Sequence, residues 1–197
     1  MQGVNSMAAS ATLHCLTGCA IGEIVGLIVG TAAGLANGWT IALSVALAFV
    51  FGFTLSSLPL VRAGLSVGAA LSVVVAADTL SIATMELVDN LVMAIIPGAM
   101  DAGLVNVVFW VGMMISLTAA FFAAYPVNRH LLQRGKGHAL LHEHHHGGGE
   151  VVGARRLIPS LPTSSLVAVL VAFMLGGLVV SIADELDGDR SHAAAGR

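Results

Sequence analysis

Charge is scarce in this chain: 8 Lys and Arg with 11 Asp and Glu make up only 10% of 197 residues, where soluble domains run near one quarter. With 57% of residues hydrophobic and a mean hydropathy of +0.92, that scarcity excludes an ordinary soluble fold and points to an integral membrane protein. Aromatic residues are also few, at 5%. Together with the absence of any period-2 alternation, this excludes a membrane β-barrel. No GxxxxGK[ST] loop occurs, so the chain carries no ATP hydrolysis of its own. A net charge of −3 leaves no electrostatic footprint for nucleic acid. Cysteine is confined to Cys15 and Cys19, too few for paired CxxC knuckles.

What the chain does have is long apolar runs, each long enough to cross roughly 30 Å of hydrocarbon as a helix. The expected fold is all-α, a polytopic membrane bundle forming a single domain over 1–197. Its spans fall at about 10–36, 39–61, 65–97, 107–126 and 163–183. Between them lie "NGW", "VRAG", "PGAMDAGLVN" and a polar loop over 127–162, all turn and breaker signatures. The segment 65–97 is too long for one straight crossing, which predicts tilt, extension beyond the bilayer or a break.

Basic residues near span ends are retained in the cytoplasm. Arg62, Arg129, Arg134, Lys136, Arg155 and Arg156 all fall in breaks that five alternating spans place on one face. The N-terminus is therefore expected inside and the acidic C-terminal tail over 184–197, with Asp184, Glu185, Asp187 and Asp189, outside. "LTGC" at Leu16 to Cys19 matches the pattern before a lipidated cysteine. It lacks a positively charged region in front, and the apolar run continues past it, so the reading as a first span is preferred.

Charged groups at the bilayer centre cost several kcal/mol and mark pathways, relays or ligand sites. In the first span, Cys15, Cys19 and Glu23 follow at i, i+4 and i+8, one stripe about 80° wide and about 12 Å long. His14 lies beside it. Gly18, Gly22, Gly26, Gly30 and Gly34 repeat at the same spacing and form a close-packing seam of the small-xxx-small kind. That seam offers either packing within one subunit or a homo-oligomer contact. In the third span, Asp78, Met85, Glu86, Asp89, Asn90 and Met93 share an arc of about 140°. Counted from the cytoplasmic ends, Glu23 and Asp78 each lie about 20 Å deep, a level at which they could meet near mid-membrane.

Thiolate, imidazole and thioether groups select copper(I) and zinc, while carboxylates suit iron(II), manganese and zinc. No Lys or Arg lies within the spans to neutralise the carboxylates, so a bound cation or protonation must do so. His14, Cys15, Cys19, Glu23, Asp78, Met85, Glu86, Asp89 and Met93 are accordingly the candidate ligands of a transition metal (copper, zinc or iron) between the first and third spans, with transport the expected role. His138, His142, His144, His145 and His146 form a second, metal-buffering tract in the long loop. Taken singly, a membrane cysteine is commonly a small packing residue, and a histidine tract can be plain solvated loop. Two alternatives stand beside the metal: thiol redox chemistry at Cys15 and Cys19, and proton or cation coupling through the carboxylates alone. A sensor, an insertion factor or a metalloenzyme subunit would present the same ligands.

The segments "TLHCLTGCAIGE", "AADTLSIATMELVDN", "IPGAMDAGL" and "AAYPVNR", in this order, resemble a family of bacterial membrane proteins known as domain-of-unknown-function family 4396. The resemblance spans roughly Thr12 to His138 and implies that the first four spans form a unit in a bacterial inner membrane. It brings no activity with it. The residues most like the family pattern are His14, Cys15, Cys19, Glu23, Asp78, Glu86, Asp89, Asn90 and Asp101.

Overall fold

The computed structural model describes residues 2–134 and 162–195. Over these the chain is helical, with α1 at Gln2–Ala32, α2 at Asn37–Arg62, α3 at Val67–Ile95, α4 at Val107–Gln133 and α5 at Thr163–Ala195, plus one 3-10 turn at Ala99–Asp101. All five helices are long and apolar enough to cross a membrane.

The connections follow from local chemistry. After Ala32, the Leu35 amide donates to the Gly30 carbonyl and the Gly34 amide to the Thr31 carbonyl, with Gly34 at φ 66°. This closes α1 in a left-handed cap that glycine adopts without strain. Gly64, at φ 116°, ends α2 in the same manner, with Leu65 donating to Leu60. Ser66 caps α3 by accepting from the Ala69 amide at 3.3 Å, and Asn106 caps α4 by accepting from Val108 at 2.8 Å.

The first four helices alternate in direction and close a ring: α1 packs most extensively on α2, α2 on α3, α3 on α4 and α4 back on α1, with α1 and α3 across the diagonal. The fifth helix lies outside this ring, against α1 and α4. Its start is held to the α1 start by Ser10 and Thr163 hydroxyls 3.1 Å apart. Farther along, Ser181 donates to the Leu104 carbonyl at 3.3 Å, so α5 runs parallel to α1. Gly177 lets Trp110 seat against it; a methyl there would collide with the indole.

Several expectations need correction. The first helix begins and ends earlier than 10–36, and Gly34 sits in the turn, outside the seam. Of the three outcomes left open for the third span, a break does not occur: it is a single helix of 29 residues. The fourth continues through Pro126 to Gln133, so Arg129 is helical and the loop begins later than 127. Proline is tolerated there because neighbouring groups in a membrane bundle re-satisfy the freed carbonyl. The segment taken as an acidic tail from 184 continues α5 to Ala195. The histidine tract, with Lys136, Arg155 and Arg156, lies outside the described residues.

The glycine seam is filled from within the chain. Any methyl at Gly18, Gly22 or Gly26 would strike the α2 backbone at Gly52, Ala48 or Ser44, and one at Gly30 would strike the Thr40 side chain. Of the two uses the seam offers, packing within one subunit is the one seen: the glycine face holds α2. Without a hydrophobic force between helices in lipid, such backbone approach is what holds a pair together.

Candidate functional site

With the four helices in a ring, the polar faces of α1 and α3 look at each other across the diagonal. One α3 stripe, from Ala70 through Asp78, Ser81, Met85, Glu86 and Asp89 to Met93, is buried. The polar groups along it form a column running the length of the bundle.

At one end the column opens. A cavity of about 410 Å³ is walled by Thr31, Leu35 and Asn37 from the α1–α2 turn and by Met100, Asp101 and Gly103 from the α3–α4 connection. The two walls are tied at the mouth, where Asn37 Nδ2 donates to Asp101 Oδ1 at 2.6 Å. Met93 and Met113 also line the cavity, and Glu23 and Asp89 form its floor.

Glu23 is half-buried, whereas Asp89 is 6% exposed. Their carboxyl groups lie within hydrogen-bonding reach of each other. Two carboxyls at that separation need a proton or a cation between them, because ionised oxygens only accept hydrogen bonds. The Ser116 hydroxyl of α4 donates to Asp89 Oδ1 from the far side and fixes its orientation. Asn90 is turned back onto its own helix, its Nδ2 donating to the Glu86 carbonyl at 2.9 Å.

Beyond this floor the column is closed to water: Glu86 is 5% exposed, Cys19 1%, Asp78 1% and Cys15 0%. The Glu86 carboxyl faces the Cys19 thiol, and neither of its oxygens has a well-formed hydrogen bond. Farther on, Asp78 and Ser56 flank the Cys15 thiol. The Ser81 hydroxyl is buried and likewise without a well-formed hydrogen bond. The last layer is structural. His14 Nε2 donates to the Leu55 carbonyl at 3.0 Å, Asn128 Nδ2 donates to Thr12 Oγ1 at 2.9 Å, and that hydroxyl donates to Ala8 at 2.7 Å.

The candidate residues thus share one column but do not share one centre. Glu23 meets Asp89, Cys19 meets Glu86 and Cys15 meets Asp78, while His14 turns to α2. Glu23 does not meet Asp78, because the two helices align from their cavity ends: nine residues separate 23 from 32 and six separate 89 from 95. Among the described residues no group of three or more His, Cys, Asp and Glu side chains converges closely enough to hold a metal ion. Met93 borders the cavity and Met85 is buried in the core.

Sequence reasoning missed Ser116, Asn128, Ser56 and Ser81. Serine and asparagine in an apolar helix carry no periodic signature, and α4 had no acidic residue to draw notice. Only their position against the α1 and α3 faces gives them meaning.

Among curated proteins and among solved structures, none matches the chain. The model of a family described as a domain of unknown function matches residues 4–137, the four helices that carry the whole column. The chain therefore belongs to the DUF4396 family.

Proposed function

We propose that this protein is a multi-pass carrier of the bacterial inner membrane that takes up a cation at the Glu23–Asp89 pair. The observation that carries this reading is the pair itself: two carboxyls in mutual reach, at the floor of an open cavity, in spans that contain no Lys or Arg. Such a pair holds a positive charge or a proton at all times, and exchange of one for the other is the elementary step of coupled transport. The Met93, Met100 and Met113 side chains around the same cavity favour a soft or borderline passenger, copper(I), zinc or iron(II). In this reading the mouth with Asp101 faces outward and the end bearing Arg62, Arg129 and Arg134 faces the cytoplasm, by retention of basic residues.

A second reading, in which the pair handles protons alone, is favoured by the lack of three converging ligands among the described residues. Elemental analysis of protein purified from metal-replete cells separates the two. The carrier reading expects about one metal per chain in the wild type and in Cys15→Ser with Cys19→Ser, and loss in Glu23→Gln with Asp89→Asn. Metal absent from the wild type leaves protons as the cargo. Equal metal in all three preparations overturns the assignment to the pair.

A further inference from the structure

The part of the column beyond the cavity floor has no role in cation uptake, yet it is where burial of polar groups is most complete. Glu86 is 5% exposed with both carboxyl oxygens lacking a well-formed hydrogen bond, and Ser81, at 0%, has an unpartnered hydroxyl. A buried polar group without a partner costs about 1 to 3 kcal/mol. Both lie on the buried α3 face between Asp89 and Asp78, and together they mark a path that a mobile species completes. These groups are closed to water, and a proton needs only groups that accept and donate in turn to pass along them.

We propose that Glu86 is the middle station of a proton-transfer route from the Glu23–Asp89 pair to Asp78, so that the protein's coupling ion is the proton. This rests on the cation-uptake reading only for the first station. The titratable groups that face Glu86 are Cys19 and Glu23 on α1 and Asp89 on its own helix. The buried residues of α2 and α4 contribute none. A second proton taken from cavity water by the pair moves to the ionised Glu86, leaving the pair with the one proton its two carboxyls share and Glu86 neutral. It then passes to the ionised Asp78 through Ser81 and the Cys19 and Cys15 thiols, each accepting one proton and releasing another and so ending unchanged. No electrons move, and each passage carries one positive charge once Asp78 releases its proton toward the cytoplasmic end and is again ionised. The rise from Asp89 to Glu86 is about 4.5 Å and from Glu86 to Asp78 about 12 Å. The second interval is the one the thiols and the hydroxyl span.

The test is proton flux into proteoliposomes holding a trapped pH dye, driven by a potassium diffusion potential, with zinc binding measured by calorimetry on the same preparations. Wild type is expected to conduct. Glu86→Gln and Asp78→Asn are expected to lose flux at least tenfold while Glu86→Gln binds zinc within twofold of wild type. Glu86→Asp, which keeps the carboxyl, is expected to retain flux slowed several-fold, and it serves as the test if the glutamine variant does not fold. Flux unchanged in Glu86→Gln, a non-conducting wild type, or a Glu86→Asp variant as fast as wild type overturns the route. Flux without zinc binding overturns the cavity reading and leaves the route in place.

Discussion

At the scale of single residues, the glycines and the short polar side chains decide whether the bundle closes. Gly22 is the tightest point of the α1–α2 seam, its missing side chain replaced by the Ala48 backbone. Gly22→Leu is expected to lower stability by at least about 1 to 3 kcal/mol, the usual effect of overpacking. A fall in the thermal midpoint of monodisperse protein in detergent checks it. Asn128→Ala removes the donor to Thr12 and leaves that hydroxyl bonded only within α1. Interhelical hydrogen bonds in membranes are worth about 0.6 kcal/mol on average, so the midpoint should fall by much less than in Gly22→Leu. The stripe of Cys15, Cys19 and Glu23 was legible from spacing alone, because side chains four apart on a helix stack on one face. Their partners were not, because Asp78, Glu86 and Asp89 lie more than 50 residues away and sequence spacing says nothing of register between helices.

At the scale of elements, α1 to α4 form the ring and α5 leans on it. Among the described residues no column residue lies on α5, and what holds it is the Trp110 indole over Gly177, two seryl and threonyl contacts, and apolar packing. Gly177→Val is expected to displace α5 from Trp110 without unfolding the ring. An altered tryptophan emission with unchanged zinc binding is the result that checks it. The Trp110 Nε1 also donates to the Leu104 carbonyl at 2.8 Å and so braces the α3–α4 connection that walls the cavity. Helix number and order were readable because hydrophobic length is a local property. Boundaries were less so: Pro126 and Arg129 read as a stop, yet α4 passes both, since a proline within a bundle does not end a helix in lipid.

At the scale of the molecule, five alternating crossings put the cavity mouth and the basic residues at opposite ends. Asp101→Cys, in a background with Cys15→Ser and Cys19→Ser, is expected to react with a membrane-impermeant maleimide added outside intact cells. Arg134→Cys in the same background should react only after permeabilisation. The reverse pattern would invert the orientation.

What the sequence by itself determined is the class, the five spans, the glycine face and the polar faces of α1 and α3. Each follows from composition or from periodicity within one helix. What only the tertiary structure decided is which face meets which. The glycines hold α2 and not α3, Glu23 is paired with Asp89 and not Asp78, and His14 is spent on the Leu55 carbonyl. The physical reason is that helices in lipid are set against one another by how closely their backbones can approach. The seam along Gly18, Gly22 and Gly26 fixes α2 beside α1, which leaves α3 on the diagonal, where it meets α1 through the Cys, Asp and Glu side chains. The register of that reach is set by the turns at Gly34 and Ile96, and no local pattern in α1 or α3 encodes it.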